Sequence, residues 1–340
     1  MLTILGLLGV FIAGVSADVI MGSKGAPDDN DDETDPHDDP EADHGDLLQD
    51  DILAPANPDG QHSPVSDDIA DVADDDAVIT GGDVGEILSG GGGDDRIFGA
   101  AGDDQIDGKD GDDSIDAGEG TDAVWAGAGD DTVVGGAGND SLAGQAGNDS
   151  ISGDAGDDSL GGHDGADSLT GGAGADTLLG GSGQDMLSGG SGDDWLAGGQ
   201  DNDRLSGGAG SDTLDGNAGD DWLSGLNDDT DDNDVDYLNG SSGNDTLVLG
   251  RADYATGGAG EDTFLLQDWP QHGEVATISD YDVTQDQIVV VYDPAAHPNP
   301  QLTLATNQGS DDVTILLDGA PVALVQGGPV TLGDIRLTAA

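Results

Sequence analysis

The sequence predicts an all-β repeat protein, with a disordered acidic region before the repeats and a small β cap after them. Residues 81–224 repeat with a period of nine, in 16 units whose register never slips. Each unit places one aliphatic residue among Gly and Asp residues. Helical bundles are disfavoured, because Gly and Asp are poor helix formers and only 6 of the 73 acidic residues are Glu.

The charge of the chain excludes several classes of protein. With 73 acidic and 6 basic residues, the formal net charge is −67 at pH 7. No nucleic-acid partner is expected, because binding to a phosphate backbone needs Lys and Arg. A disulfide-stapled scaffold is excluded by the absence of Cys. Because so many like charges repel one another, a compact fold needs something that neutralises them.

The first 80 residues contain two unlike segments. Residues 1–21 are apolar and end near a small-residue motif, but no Lys or Arg precedes the apolar run. An export signal and a membrane anchor therefore both remain open. Residues 22–80 hold 20 acidic residues, six prolines and a single basic residue, Lys24. High charge, frequent proline and few large apolar residues predict a disordered acidic linker.

The nine-residue unit combines a turn with a strand. When positions are numbered from Gly81, position four is Gly in 14 of 16 units, position six is Asp in 15, and position eight is Leu, Ile or Val in all 16. The exceptions are Val84 and Asp201 at position four and Glu86 at position six. Six Gly- and Asp-rich residues predict a turn, and the next three predict a short strand whose central aliphatic faces inward.

Such a repeat should not fold without a cation. One buried aliphatic side chain per nine residues recovers less free energy than the ordering of those residues costs, and stacked carboxylates repel. Oxygen ligands from carboxylates and backbone carbonyls suit hard cations, and many flexible oxygen ligands favour Ca²⁺ over Mg²⁺. Residues 81–224 carry 32 acidic and 3 basic residues, a net charge of −29 that about one Ca²⁺ per unit would neutralise.

The candidate metal ligands are the Asp residues at position six, together with the matching residues of two later units. They are Asp95, Asp104, Asp113, Asp122, Asp131, Asp140, Asp149, Asp158, Asp167, Asp176, Asp185, Asp194, Asp203, Asp212, Asp221, Asp245 and Asp262. Asp is one methylene shorter than Glu and fits a tight loop, which accounts for the scarcity of Glu.

The repeat loosens after residue 224. The unit that begins at Gly225 carries six extra residues, so residues 225–239 form an insertion. Clean copies follow at 240–248 and 257–265. Residues 266–340 then contain strand-like runs bounded by Gly, Pro and Asp, which predict the β cap. These runs are 287–292, 313–317 and 321–325.

The unit G-G-x-G-x-D-x-U-x resembles the calcium-binding nonapeptide of the RTX (repeats-in-toxin) family. The resemblance implies a parallel β-roll solenoid over residues 81–265, in which two units make one coil. It also implies Ca²⁺ between successive turns, held by the position-six Asp and by loop carbonyls. Sixteen units would make eight coils, with a length of roughly 40 Å. Val84, Glu86, Asp201 and the insertion depart from the pattern, which puts calcium sites there in doubt.

The tail is similar to the segment that caps RTX rolls in proteins exported by bacterial type I secretion. The similar residues are Asp262-Thr263-Phe264, Ile278-Ser279-Asp280-Tyr281 and Asp286-Gln287-Ile288. The resemblance implies an uncleaved export signal near residues 280–340, the type I secretion machinery as a partner, and an extracellular, secreted protein. Proteins of this kind usually lack an N-terminal signal, so the apolar run at residues 1–21 leaves association with the cell surface open.

No catalytic motif stands out, so we expect no enzyme. The chain has no His-Glu-x-x-His and no Gly-x-Ser-x-Gly after a plausible strand. The main hypothesis is a calcium-binding module that acts at a surface, in a matrix or in adhesion. The alternative is a hydrolase-like RTX enzyme with its site in residues 266–340, on Asp280, Asp286 and His297.

Three tryptophans offer a further partner. Trp125, Trp195 and Trp222 occupy strand positions seven or nine, where side chains should face outward. Exposed aromatic rings of this kind could contact a polysaccharide of the cell surface or the matrix.

Overall fold

The computed structural model describes residues 70–72, 76–226, 234–267, 275–306 and 309–340. All of them belong to one compact unit, Pro64–Ala340. The apolar run 1–21 and residues 22–69 of the acidic segment lie outside the described residues. Among the described residues, no helix is long and apolar enough to cross a membrane.

The part of the chain that the structure describes forms twenty-eight β-strands and no helix. In chain order the strands are β1 (Ala70–Val72), β2 (Val78–Thr80), β3 (Ile87–Gly92), β4 (Arg96–Phe98), β5 (Gln105–Asp110), β6 (Ser114–Glu119), β7 (Ala123–Ala128), β8 (Thr132–Ala137), β9 (Ser141–Ala146), β10 (Ser150–Ala155), β11 (Ser159–Asp164), β12 (Ser168–Ala173), β13 (Thr177–Ser182), β14 (Met186–Ser191), β15 (Trp195–Gln200), β16 (Arg204–Ala209), β17 (Thr213–Ala218), β18 (Trp222–Ser224), β19 (Tyr237–Ser242), β20 (Thr246–Leu249), β21 (Tyr254–Ala259), β22 (Thr263–Leu266), β23 (Ala276–Ile278), β24 (Gln287–Tyr292), β25 (Leu302–Thr306), β26 (Val313–Leu317), β27 (Ala320–Val325) and β28 (Ile335–Ala339).

The strands alternate between two sheets of a parallel β-solenoid of about 10 turns. The odd sheet joins the odd-numbered strands β1 to β23 and then β27, β26 and β25; the even sheet joins the even-numbered strands β2 to β24 and then β28. Within a sheet each strand pairs with the strand one coil away, as Ser150 does with Ser168. Since these residues are 18 apart, two nonapeptides make one coil, and the predicted all-β solenoid is confirmed.

The strands are longer than predicted. A typical strand covers positions seven to nine of one unit and positions one to three of the next, as in β10, so that only positions four to six form the turn. The expected division into six turn residues and three strand residues is therefore wrong. Glycines at positions one and two have low strand propensity, but stacking of identical coils pairs their backbones in the parallel ladder.

The core is a file of aliphatic side chains from each sheet. Every position-eight residue from Leu88 to Leu223 is no more than 3% exposed, as predicted. Position one also faces inward, where the chain has Gly or, at Ala117 and Ala126, a fully buried Ala. Positions seven, nine and two alternate with the buried positions and lie on the outer face of the sheets.

The solenoid continues beyond the regular repeats at both ends. It begins before Gly81, because Val78–Thr80 pairs in parallel with β4 and Ile79 is buried. After the roll, β23, β24 and β28 add parallel strands, and β25, β26 and β27 form an antiparallel meander at the end of the odd sheet. The three strand-like runs predicted for the tail coincide with β24, β26 and most of β27.

Interruptions of the repeat leave the sheets in register. Residues of β17 pair with residues of β19 that are 24 positions later rather than 18, so the six inserted residues leave the ladder intact. The next coil is one residue short, because Tyr237 pairs with Tyr254. Parallel pairing therefore tolerates coils of unequal length when the extra residues fall in a turn.

Glycine at position four allows the coils to approach closely. Gly147 has φ +138°, and a Cβ added to it would lie under 3.0 Å from the carbonyl oxygen of Gly129 on the previous coil. Gly319 also has a positive φ, +84°, but an added Cβ would meet nothing within 4 Å. Substitutions at these two glycines therefore distinguish the free-energy cost of a positive φ from the free-energy cost of a steric clash between coils.

We expect Gly147→Ala to destabilise the folded protein by about 3 kcal/mol or more, because it adds a backbone clash to the strain of a positive φ. Gly319→Ala should cost about 1–2 kcal/mol, since only the strain remains. Urea unfolding in Ca²⁺-containing buffer measures both. Equal losses in the two variants would contradict close coil packing at position four.

Candidate metal centre

A ladder of buried Asp side chains runs along the turns of the roll. All seventeen predicted ligand residues belong to it, and each is no more than 3% exposed. In each case Oδ1 accepts a hydrogen bond of 2.7–2.9 Å from the backbone N–H of the matching residue one coil earlier. Asp158, for example, accepts from the N–H of Asp140 at 2.8 Å. One carboxylate oxygen of each residue therefore joins neighbouring coils.

The second oxygen of these carboxylates is buried without a donor. Among the described residues, sixteen ladder Asp side chains have an Oδ2 atom that accepts no hydrogen bond. They are Asp95, Asp104, Asp113, Asp122, Asp131, Asp140, Asp149, Asp158, Asp167, Asp176, Asp185, Asp194, Asp203, Asp221, Asp245 and Asp262. A buried anionic oxygen without a donor is costly, so each one marks a place where a positive charge would stabilise the fold.

A backbone carbonyl oxygen lies near each of several such Oδ2 atoms. A Cβ added at Gly135, in position one, would lie 2.6 Å from Oδ2 of Asp140 and 3.0 Å from the carbonyl oxygen of Gly153 on the next coil. At Gly171 and at Gly189 an added Cβ would likewise lie near Oδ2 of the ladder Asp of the same unit and near a carbonyl oxygen of the next coil. Position one therefore leaves little room for a side chain at these glycines, because two oxygens of different coils converge there.

Burial raises the pKa of most of these carboxyl groups. The burial effect is largest, the charges of neighbouring Asp residues add to it, and the backbone N–H on Oδ1 partly opposes it. The pKa is about 7 for Asp131, Asp194, Asp203 and Asp245. It is about 6 for Asp104, Asp113, Asp149, Asp158, Asp185 and Asp221. Without a cation, these acids are therefore easier to protonate in the folded roll than in the unfolded chain.

The oxygen atoms available as metal ligands suit a hard divalent cation. No group of three or more His, Cys, Asp or Glu side chains converges anywhere in the described ranges, so side chains alone would not enclose an ion. Several ladder positions instead offer one carboxylate oxygen and a nearby carbonyl oxygen from the next coil. An all-oxygen set that combines carboxylates with carbonyls suits Ca²⁺ better than transition metals.

Three members of the buried Asp ladder were not predicted from the sequence. Oδ1 of Asp236, Asp253 and Asp286 accepts from the backbone N–H of Asp212, Asp236 and Asp262 respectively. Their coils are 24, 17 and 24 residues long, so a period of nine does not reach them. Each nevertheless directly precedes a strand, and that local signal could have identified them.

At some positions a protein N–H group reaches the second carboxylate oxygen. Oδ2 of Asp253 accepts from the N–H of Gly250 at 2.7 Å, and Oδ2 of Asp286 accepts from the N–H of Asp282 at 2.7 Å. At the other end, Oε2 of Glu86 accepts from the N–H of Gly82 at 3.0 Å. These carboxylates already have a donor, so they need no ion.

The position-four departure at Asp201 is accommodated. Asp201 adopts a positive φ of 71°, as the glycines at position four do, and Asp203 keeps its place in the ladder. The unit therefore retains the geometry of its neighbours although the glycine is missing.

A second ladder runs along the exposed side of the turns. Here the side-chain oxygen at position five accepts from the backbone N–H one coil later; Asp130, for example, accepts from Asn148 at 2.7 Å. This second ladder was not predicted, although position five is Asp or Asn in ten of 16 units. A position-six side chain accepts from the previous coil, whereas a position-five side chain accepts from the next coil. Each turn is therefore hydrogen-bonded to the coils on both sides.

The residues of the enzyme alternative serve other contacts. Asp280 accepts from the N–H groups of Gly257 and Gly258, and Asp286 belongs to the ladder. Nδ1 of His297 lies 2.6 Å from Oδ2 of Asp318. Each of the three side chains thus has a hydrogen-bond or ion-pair partner in the described structure.

The tryptophans are not equivalent. Trp125 and Trp195 are exposed and lie on the odd sheet. Trp222 lies on the even sheet, where the Arg204 guanidinium stacks 3.6 Å above its ring. Only the first two therefore present a free ring to solvent as expected.

We expect acid to promote folding of the cation-free protein. The folded-state pKa of the ladder acids, about 6–7, exceeds the unfolded value of 3.8, so folding takes up protons. The stability of the cation-free roll should therefore rise as the pH falls from about 7 towards 4. Far-UV circular dichroism in chelator should show more β-structure at pH 5 than at pH 7.5.

Replacement of Asp131, Asp194 and Asp203 by Asn should weaken this pH dependence. Replacement of the exposed position-five residues Asp130, Asp193 and Asp220 should leave it in place. An unchanged spectrum between pH 7.5 and pH 5, or an equal effect of both sets, would contradict the role of burial.

A family model describing the RTX calcium-binding nonapeptide repeat (4 copies) matches the chain in overlapping segments: 80–115, 100–133, 125–160, 134–169, 161–196, 197–232 and 230–264. No curated protein matches. Among solved structures, the chain is similar to the solution structure of the AlgE6R3 subunit from the Azotobacter vinelandii mannuronan C5-epimerase. The two share 22% identity with a TM-score of 0.26, over 43% of this chain and 79% of the other. Since the family model covers more than half of the sequence, the chain belongs to the RTX calcium-binding nonapeptide repeat family.

Proposed function

We propose that the protein is a secreted Ca²⁺-binding β-roll that folds when Ca²⁺ occupies its Asp ladder outside the cell. The observation that carries the proposal is the row of buried Oδ2 atoms without hydrogen-bond donors. Acids at this depth repel one another and favour protonation, so the roll gains most from a ligand that neutralises them at neutral pH.

The chain's own residues prepare each site. Oδ1 of a ladder Asp fixes the carboxylate against the previous coil, and Oδ2 is thereby directed towards the carbonyl oxygen of the next coil. Glycine at position one leaves the space open between them. When bound, Ca²⁺ supplies two positive charges and links the coils. The proposed ligands are the seventeen position-six Asp residues, with loop carbonyls completing each site.

The difference in Ca²⁺ concentration across the cell envelope would determine when the roll folds. Below micromolar Ca²⁺, repulsion between carboxylates keeps the roll unfolded and competent for export. At millimolar Ca²⁺, sites with affinities of about 10⁻⁴–10⁻³ M fill, and binding stabilises the fold. Membership of the RTX repeat family supports this proposal.

Export would use the tail of the chain. We assign a type I secretion signal to residues 280–340, a calcium-binding roll to 81–265, and an export signal or anchor to 1–21. The acidic linker covers the part of 22–80 that precedes β1 and β2, because these two strands already belong to the solenoid. Recovery of the protein from culture supernatant rather than membranes would support secretion without anchoring.

A non-catalytic role at a surface, in a matrix or in adhesion fits the described residues. Most acidic side chains in the turns of the roll belong to the two ladders, and Asp280, Asp286 and His297 have their own hydrogen-bond or ion-pair partners. A long, rigid roll that forms only outside the cell would suit a structural or binding module.

Replacement of Asp140, Asp149 and Asp158 by Ala should raise the Ca²⁺ concentration at half-saturation by about tenfold, because each change removes a buried anionic ligand. Isothermal titration calorimetry measures the shift. Replacement of the exposed strand-end residues Asp110, Asp154 and Asp164 removes the same charge and should have little effect. An equal shift in both variants would show that net charge, rather than the ladder, sets the affinity.

The number of bound ions should depend on which Oδ2 atoms lack a donor. Asp185→Asn should reduce the Ca²⁺ bound per chain, because its Oδ2 has no protein donor. Asp286→Asn should leave the number unchanged, since Oδ2 of Asp286 already accepts from Asp282. Native mass spectrometry counts the ions. Loss of an ion from Asp286→Asn, or none from Asp185→Asn, would contradict the assignment.

A further inference from the structure

Exposed aromatic side chains collect on the outer face of the odd sheet. Trp195, Tyr237 and Tyr254 all occupy position seven and are 43%, 52% and 47% exposed. Strand pairing aligns them in one file, interrupted only by Thr213. The two Tyr rings stack with centroids 5.3 Å apart. Large aromatic surface left in solvent on one face indicates a binding surface.

A groove of about 680 Å³ lies beside Trp195 on the same face. Trp195 and Leu179 form an apolar wall, and Gly161 and Ala197 leave room at the floor. His163 and Asn217 add polar groups at the edge. The volume and the mixture of apolar surface with a few polar groups are typical of small-ligand and sugar-sized sites.

The groove follows the axis of the roll. Its lining residues come from the five neighbouring strands β9, β11, β13, β15 and β17, and the Tyr pair continues the line on β19 and β21. Neighbouring strands are about 4.8 Å apart, close to the length of one sugar in an extended polysaccharide. The surface therefore fits a linear ligand that lies across many strands.

The outer face of the odd sheet from β9 to β21, which we call the track, carries almost no charge, although the net charge of the chain is −67. At the outward positions seven, nine and two of β9 to β21, Asp215 is the one acidic residue. Its carboxylate accepts from Ser241 at 2.8 Å and from Asn239 at 3.3 Å, so neighbouring side chains engage it. The remaining acids of these coils lie in turns and at strand ends, where they would repel an anionic polymer from either side.

The track does not suit a peptide. It crosses the middle of a sheet whose strands are paired on both sides, so it offers no strand edge for an extended chain. Its large apolar residues are three aromatic residues in the position-seven file and Leu179 at position nine, without the broad apolar surface that an amphipathic helix needs.

We propose that the outer face of the odd sheet from β9 to β21 binds an uncharged, extended β-linked polysaccharide. The C–H faces of the sugars pack on Trp195 and beside the Tyr pair, and sugar hydroxyls bond to His163 and Asn217. The inference rests on the proposed function only in requiring a folded roll.

The test is depletion of the full-length protein, in millimolar Ca²⁺, by washed cellulose and by chitin. We expect binding to at least one of them, and a loss of affinity of about tenfold or more for Trp195→Ala and for Tyr237→Ala. Trp222→Ala, on the even sheet, is the matched control and should bind as the parent does. Circular dichroism of each sample checks that the roll is folded.

Absence of binding to both polymers by the folded protein overturns the inference, as does an equal loss in Trp222→Ala. Binding to the anionic polymer alginate in preference to both neutral ones also overturns it. Each of these results leaves Ca²⁺-dependent folding untouched. Folding that ignores Ca²⁺ would instead overturn the proposed function, and depletion would still test the polysaccharide site.

Discussion

Each coil of the roll buries carboxylate oxygens that no protein donor reaches, and this constraint governs the structure around them. Oδ2 of Asp140 lies where a side chain on Gly135 would have to go, so the charge at position six restricts position one to Gly or, at Ala117 and Ala126, to Ala. Asp places its two oxygens between adjacent coils, whereas the longer Glu86 turns back to its own turn through Gly82. The shortage of Glu in the chain therefore reflects the reach of the side chain between coils.

The turns divide two tasks between adjacent positions. Position six carries the buried charge and bonds to the previous coil, while position five is exposed and bonds to the next. Backbone N–H groups of Gly250 and Asp282 donate to the equivalent oxygen of Asp253 and Asp286 towards the C-terminal end, and Gly82 donates to Glu86 near the N-terminal end. The proposed cation sites therefore lie at the other members of the ladder.

The sequence predicted what depends on strict periodicity. The inward file at position eight and the fifteen Asp positions from Asp95 to Asp221 follow from a register that never slips, and Asp245 and Asp262 follow from clean later copies of the unit. The structure buries all of these residues. Pairing through Gly at positions one and two was not predicted, because strand propensity says nothing of stacking between identical coils. Asp236, Asp253 and Asp286 were missed because they lack the Gly that precedes most other ladder residues by two positions. The coil lengths of 24 and 17 residues that place them in the ladder emerge only when the strands are paired.

The central claim is that Ca²⁺ neutralises the buried ladder and thereby folds the roll. Circular dichroism of the full chain at neutral pH, titrated with Ca²⁺ after treatment with chelator, tests this claim most directly. We expect little regular structure in chelator, a β-type spectrum that develops with Ca²⁺ and is reversed by chelator, and a much weaker response to Mg²⁺. A β-type spectrum already present in chelator, or an equal response to Mg²⁺, would contradict it.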